Sequence, residues 1–373
     1  MNKVSLKWLK ADEATRVGER PEKVPDGEIY QRALILEEDH FDATMFLNYG
    51  VLGFRGNTIE APLGTNLYKE NLVLGESTKE WLRTLMQSMG IDFVNAYSTS
   101  LFDATKRVMM VDKYGYRYAS YGDPVIKPGM DEETVWRCRC FPAHWNSGLR
   151  GYNFWERESQ PQADAIMTDL PGQTLCVYAA DCVIGLISDP VSHAVGVFHS
   201  MWRNLVNSGL DHACTNSRSI IEELVKMMRA AYGCEPENLE VQLYPCASKE
   251  TYEVDGDVAR RFLENGLAEA VVEHERLCNG DHSGKFHLDL NAAVTMILEK
   301  LGVKPLNIRL MPFTTDDPEF PSKRNASKGR AGRRADIASH KVVELNPNAK
   351  PEPRTADALW NNNAQNVLIV RTK

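Results

Sequence analysis

The chain has 373 residues, 43% apolar and 25% charged, with a net charge of −8; this suits one large or two modest globular domains and argues against a general nucleic-acid binder. No apolar run reaches the ~18 residues of a bilayer span, and the start "MNKVSLKWLKADEATRVGER" lacks the apolar stretch of a secretion signal, so a cytoplasmic location without a membrane partner is expected. The eight Cys are irregularly spaced with no CxxC pair, which reads as free thiols rather than a disulfide framework or a zinc knuckle.

In chain order, residues 1–44 are charged and weakly periodic and read as an extension packed on a main domain over 45–345. "STKEWLRTLMQSMGI" (77–91) carries Trp81, Leu82, Leu85 and Met86 on one stripe and predicts an amphipathic helix. "RVMMVD" (107–112) predicts a strand. Residues 113–162 are aromatic, rich in Gly and Pro, and aperiodic; at about fifty residues they exceed an ordinary loop and predict an inserted subdomain or lid.

"TLCVYAADC" (174–182) and "HAVGVFHS" (193–200) are β-branched and aromatic-rich, bounded by Asp-Pro, and read as adjacent buried strands. A helix is expected over 210–233, ending at Gly233, then a strand in 239–245 and a helix over 256–266. "KFHLDLNAAVTMILEKLGV" (285–303) reads as a strand end followed by a helix, and "NIRLMPF" (307–313) as a further strand. A basic loop spans 320–341. The tail from 346 is polar and Pro-rich until a last short strand, "NVLIVR" (366–371). Mixed rather than alternating strands and helices predict an α+β fold.

Cys182 and His199 end two of these apolar runs. Strands that lie side by side would bring the two side chains to one sheet edge. Three readings are open: core filling, a zinc or copper site, or a Cys nucleophile with a His base. Either chemical reading needs a third group. Asp181 adjoins the Cys, but consecutive strand residues point to opposite faces, so it reads as a buried orienting carboxylate.

The motifs "ADAIMT" (163–168), "AADC" (179–182), "HSMWRNL" (199–205), "CASKETYEV" (246–254), "FHLDL" (286–290) and "FPSKRN…KGRAGRRADIA" (320–338) follow one another in the order of the YfiH/laccase-domain family, which the chain resembles over about residues 45–341. "GFRGNT" (53–58) with "LGTNL" (63–67) adds a weaker match. The resemblance implies a layered α-β-β-α sandwich of the toxin-deamidase-like type. It further implies zinc-dependent chemistry on purine nucleosides, with phosphorolysis or adenosine deamination as the reactions and nucleoside and phosphate as small-molecule partners. The family metal site uses two His and one Cys, and Cys182 and His199 match two of those ligands.

The third ligand should precede the "RVMMVD" strand, yet no His lies between His40 and His144. Asp103 falls nearest to that position, and a carboxylate can bind zinc; His144 is the other candidate, and loss of the site is the third possibility. Met201 stands where the family has Gly, placing a bulky thioether beside the site. Arg203, retained from the family, and Arg55 are candidate phosphate contacts. Asn66 and Arg324 complete the candidate substrate-binding set, with solvated charge as the plain alternative for Arg324 and for Arg330 in the same basic loop. Older multicopper oxidase labels imply paired His motifs, and nine scattered His with no HxH pair do not supply them. The expected function is a zinc-dependent purine nucleoside enzyme with Cys182, His199, Arg203 and Asp181 at its centre. The alternatives are a metal-free Cys/His hydrolase or deamidase, and a non-catalytic binding relative. Oligomeric state is not legible.

Overall fold

In a computed structural model of the chain, the described residues are 3–10, 15–17, 29–46, 54–55, 58–59, 96–98, 106–113, 115–118, 163–179, 181–207, 219–280, 284–312, 314–315, 333–336, 341–344 and 366–373. The first strands are β1 (Ser5–Lys10), β2 (Thr15–Val17), β3 (Ile29–Glu37), β4 (Phe41–Phe46), β5 (Phe54–Arg55), β6 (Thr58–Ile59) and β7 (Ala96–Ser98). Next come β8 (Val108–Asp112), β9 (Gly115–Tyr118), β10 (Ala165–Thr168), β11 (Thr174–Ala179), β12 (Val183–Ser188) and β13 (Val195–Ser200). Helices α1 (Trp202–Leu205) and α2 (Ile220–Tyr232) precede β14 (Glu240–Leu243) and β15 (Glu253–Asp255). Helix α3 (Gly256–Glu264), β16 (Val271–Val272), α4 (His274–Cys278), β17 (Lys285–Leu288) and α5 (Leu290–Lys300) follow. The last strands are β18 (Ile308–Leu310), β19 (Arg333–Asp336), β20 (Lys341–Glu344) and β21 (Asn366–Thr372).

Two sheets dominate the described residues. One runs β18-β14-β12-β13-β10-β8-β9, and the other β2-β1-β3-β4-β21-β11-β7, with β5 paired to β3 and β6 to β5. The central strands of the first sheet, "AIMT", "VIGLIS" and "VGVFHS", are buried at every position. Such unbroken apolar runs belong to a sheet covered on both faces. Alternation sorts them. Val108, Ala165, Met167, Val183, Ile187 and Phe198 pack with Leu224 and Met228 of α2, Phe262 of α3 and Val294 of α5. Met109, Ile166, Ile184, Leu186, Val195 and Val197 pack instead with Leu34, Met45, Val177 and Leu368 of the second sheet. The layers are therefore helix, sheet, sheet, an α+β arrangement. The one helix expected from sequence outside these layers, 77–91, lies outside the described residues.

The helices start and stop where their termini find partners. Ser219 caps α2 by accepting from Glu222 N at 3.0 Å, and Gly233 ends it at φ 71°. Asp289 caps α5 through Ala292 N at 2.9 Å. Gly185 is required by close approach: a Cβ there would lie 2.0 Å from the ring of Phe198, its cross-strand partner.

Three expectations change. The segments 174–182 and 193–200 are not neighbours in one sheet: β11 pairs with β21 and β7, whereas β13 pairs with β12 and β10. The Asp181–Cys182 break carries the chain from one sheet to the other, and Val183–Ser188, unread as a strand of its own, is the true neighbour. Residues 1–44, read as an extension packed on the main domain, hold β1, β2, β3 and most of β4 of the second sheet, with Leu34, Leu36, Phe41 and Ala43 wholly buried. The tail strand β21 is central too, seated between β4 and β11. Of the expected helix 210–233, the described part begins at Ile220, and the 113–162 insertion lies outside the described residues beyond β9. No helix among the described residues is long and apolar enough to cross a membrane.

Candidate functional site

Strand order makes the site. β13 lies between β12 and β10 and runs antiparallel to both, so the end of β13 meets the starts of its two neighbours. His199 sits opposite Ile184, and Ala165 opposite Phe198. Cys182 and Asp164, each one residue ahead of its strand, therefore flank His199 from its two sides. Alternation puts all three on the face that meets the second sheet, and Cys182 packs against the apolar cluster there.

His199 is 3% exposed and Asp164 is 1% exposed; Cys182 is half-buried. The His199 N–H donates to the Asp164 carbonyl at 2.8 Å. Its Nδ1 lies 3.9 Å from Asp164 Oδ1, an ion-pair separation too long for a hydrogen bond, and this buried nitrogen has no hydrogen-bond partner. Burial by itself would discharge the imidazole. The attraction of the Asp164 carboxylate and of the Cys182 sulfur outweighs burial and raises its pKa to about 9.

The other oxygen of Asp164, Oδ2, accepts from the Lys106 backbone N–H at 2.8 Å. Lys106 adopts φ 54° at the entry to β8, and its side chain is buried. Burial lowers its pKa to about 8, against the opposing pull of Glu222 and Asp164.

Asn204 holds the other side of His199. This wholly buried residue donates through Nδ2 to the His199 carbonyl at 3.0 Å, and its Oδ1 accepts from Met201 N at 2.8 Å and from Ser200 Oγ at 3.4 Å. The Met201 contact is half of a capping box: a side chain three residues into the helix returns to the N-cap backbone.

Asp181 is also buried, but its carboxylate accepts from Thr315 Oγ1 at 2.9 Å and its carbonyl from Ala247 N at 2.8 Å. It thus ties the crossing between the sheets to two loops. Arg203 is exposed on α1, its guanidinium carbon 5.3 Å from the centroid of the Trp202 ring. Arg55 lies on β5 opposite Ile29. Asn66, Asp103, His144, Arg324 and Arg330 lie outside the described residues. The structure thus brings Cys182 and His199 together and places Asp181 and Arg203 on adjoining elements with other partners. It adds three residues that the sequence reading passed over: Asp164, Asn204 and Lys106. Asp164 stood inside a quoted motif and Asn204 inside another; nothing in the sequence pointed to Lys106.

Cys and His are preferred zinc donors, so Cys182 and His199 suit two positions of a zinc site. Among the described residues, no group of three His, Cys, Asp or Glu is placed to hold a metal ion. Asp164 faces the buried Nδ1 of His199 and does not complete such a group.

Comparison with known proteins places this geometry in context. A purine nucleoside phosphorylase of Deinococcus radiodurans is 33% identical over 153 residues, 41% of this chain and 50% of that protein. An adenosine deaminase, RL5, from an unknown prokaryotic organism is 27% identical over 172 residues, 45% of this chain and 59% of that protein. The chain spans about half the length of the curated relatives it matches. The crystal structure of the hypothetical protein YfiH of Bacillus licheniformis superposes with a TM-score of 0.56 at 14% identity, covering 91% of this chain and 96% of that one, a likeness of fold. The family model described as multi-copper polyphenol oxidoreductase laccase matches residues 143–341, more than half of the chain and all of the Cys182–His199 region. On that match, with YfiH as a structural neighbour, the chain belongs to the YfiH/laccase-domain family.

Proposed function

We propose that the protein acts on purine nucleosides, by phosphorolysis or deamination of adenosine-type substrates, with Cys182 and His199 holding a zinc ion. The observation that carries this reading is the meeting of a half-buried thiol and a buried imidazole on one face of a sheet edge. The printed names of the relatives supply the substrate class. Zinc held there would act as a Lewis acid or activate a water. The chain's own contribution is placement. Asn204 and Asp164 fix the backbone of His199 from both sides, and the second sheet shields the pair from bulk water. Arg203, four residues beyond His199 on α1, is the candidate phosphate contact, with Arg55, Asn66 and Arg324 as further substrate contacts. Asp103 is the proposed third ligand and His144 the other candidate.

The test is metal content and nucleoside turnover in three variants. Cys182→Ala should lose both and stay folded. Asp103→Ala should weaken zinc binding as severely if Asp103 is a ligand, and Asp103→His should raise occupancy. A second reading is favoured by the Asp164 carboxylate beside His199: Cys182, His199 and Asp164 form the series of nucleophile, base and orienting acid used by thiol hydrolases. A protein that binds no metal yet hydrolyses an amide through Cys182 would replace the first reading with this one.

A further inference from the structure

We infer that Asp164 is the positioning residue of the site, holding the His199 ring so that Nε2 is the nitrogen left for chemistry. The inference rests on the reading of Cys182 and His199 as the working pair. Three contacts from separate atoms of Asp164 carry it. Its carbonyl accepts the His199 N–H at 2.8 Å. Its Oδ1 stands 3.9 Å from Nδ1 of the same histidine. Its Oδ2 accepts the Lys106 N–H at 2.8 Å.

A carboxylate only 1% exposed is costly unless its charge is opposed and its lone pairs are used. Lys106 satisfies one oxygen. The other faces a buried ring nitrogen that has no hydrogen-bond partner. At 3.9 Å the pairing is electrostatic rather than a hydrogen bond: the carboxylate favours a proton on the nitrogen it faces, Nδ1. Which nitrogen of a histidine works is set by what the other one faces, so Nε2 is the free one.

Lys106 extends the argument to a second element. A positive φ is uncommon for lysine, and the φ of 54° at Lys106 accompanies an N–H aimed at Asp164. One carboxylate thus couples His199 to the entry of β8, and loss of it should disturb both.

The test uses the full chain with Asp164→Asn and Asp164→Ala. The first measurement is the nitrogen NMR of metal-free protein labelled at the imidazole nitrogens, at a pH where His199 is neutral; His199→Gln identifies its signals. The wild type should show Nδ1 protonated, and the variants should move the proton toward Nε2. The second measurement is zinc affinity by competition with a chelator, which should fall by about 10–100-fold in the variants. An unchanged Nδ1 signal in a folded Asp164→Ala protein would overturn the inference. So would a loss of affinity with no change at Nδ1, because that marks a merely structural role. If Asp164→Ala does not fold, the near-isosteric Asp164→Asn decides the same question. A wild type that binds no zinc overturns the metal reading alone, and the Nδ1 signal then still decides Asp164.

Discussion

Replacing Asn204 with Ala should be costly out of proportion to its size. The side chain makes two short hydrogen bonds, to the His199 carbonyl at 3.0 Å and from Met201 N at 2.8 Å, and a longer one from Ser200 Oγ at 3.4 Å. Each short bond contributes about 1 kcal/mol net, and a buried group stripped of its partner costs about 1–3 kcal/mol. His199 and Ser200 are both buried, while Met201 is half-exposed and can turn to water. The sum expected for Asn204→Ala is about 2–4 kcal/mol. Urea unfolding reads it as a lower midpoint at unchanged slope. Asn204→Asp gives the contrast: it keeps an acceptor for Met201 N but sets a buried carboxylate against the His199 carbonyl, so it should cost more than Ala. A loss under about 0.5 kcal/mol for Asn204→Ala, the scale of a neutral surface change, would refute the idea that this residue secures the end of β13.

Gly185→Ala should destabilise by about 1–3 kcal/mol, because its Cβ would lie 2.0 Å from the Phe198 ring; the double variant with Phe198→Leu should recover part of the loss in chemical unfolding, and strict additivity would refute the contact. Lys106, with a folded pKa near 8 against 10.5 for the free side chain, binds fewer protons folded than unfolded between those values. Its contribution to stability therefore rises with pH across that window. Stability of the wild type relative to Lys106→Met, measured from pH 8 to 10.5, should climb, and a flat difference would refute the burial argument. Among the described cysteines, alkylation at mildly alkaline pH, mapped by mass spectrometry, should label the exposed Cys278 first. It should spare Cys234, whose thiol burial pushes up to about 12; equal labelling would contradict the packing around Cys234.

The local signals of this chain were easy to read and the long-range ones were not. The strand and helix of 285–303 and the helix of 256–266 appear where periodicity and caps put them. The strand pairing failed at Asp181–Cys182. There, apolar content could not distinguish a strand that continues in its own sheet from one that crosses to another. Residues 1–44 looked like an extension because charged and apolar residues mix closely there, yet Ala33, Leu34, Ile35 and Leu36 of β3 and Phe41 and Ala43 of β4 are all buried. At the site, motif order pointed to Cys182 and His199. Asp164 acquires its role only through pairing with a strand that begins some thirty residues later, which no local pattern encodes. Asn204 showed up as a departure from the family pattern, but its three partners are a matter of geometry.

The position of β21 bears on how the protein is made. Residues 367–372 pair with 41–46 on one side and 366–371 with 174–179 on the other, so a late segment forms the seam between two early ones. During synthesis β4 leaves the ribosome long before its neighbour exists, and it must wait as an open, apolar strand edge. The first sheet, by contrast, has its central strands within residues 165–243 and can assemble early. The second sheet closes only after residue 366 has been translated, and pairings across so long a stretch of sequence form slowly. Newly made chains are thus exposed to edge-to-edge association for most of their synthesis, and a nascent chain cut before β21 should be captured by chaperones or aggregate, even though most of its helix-facing core is already encoded.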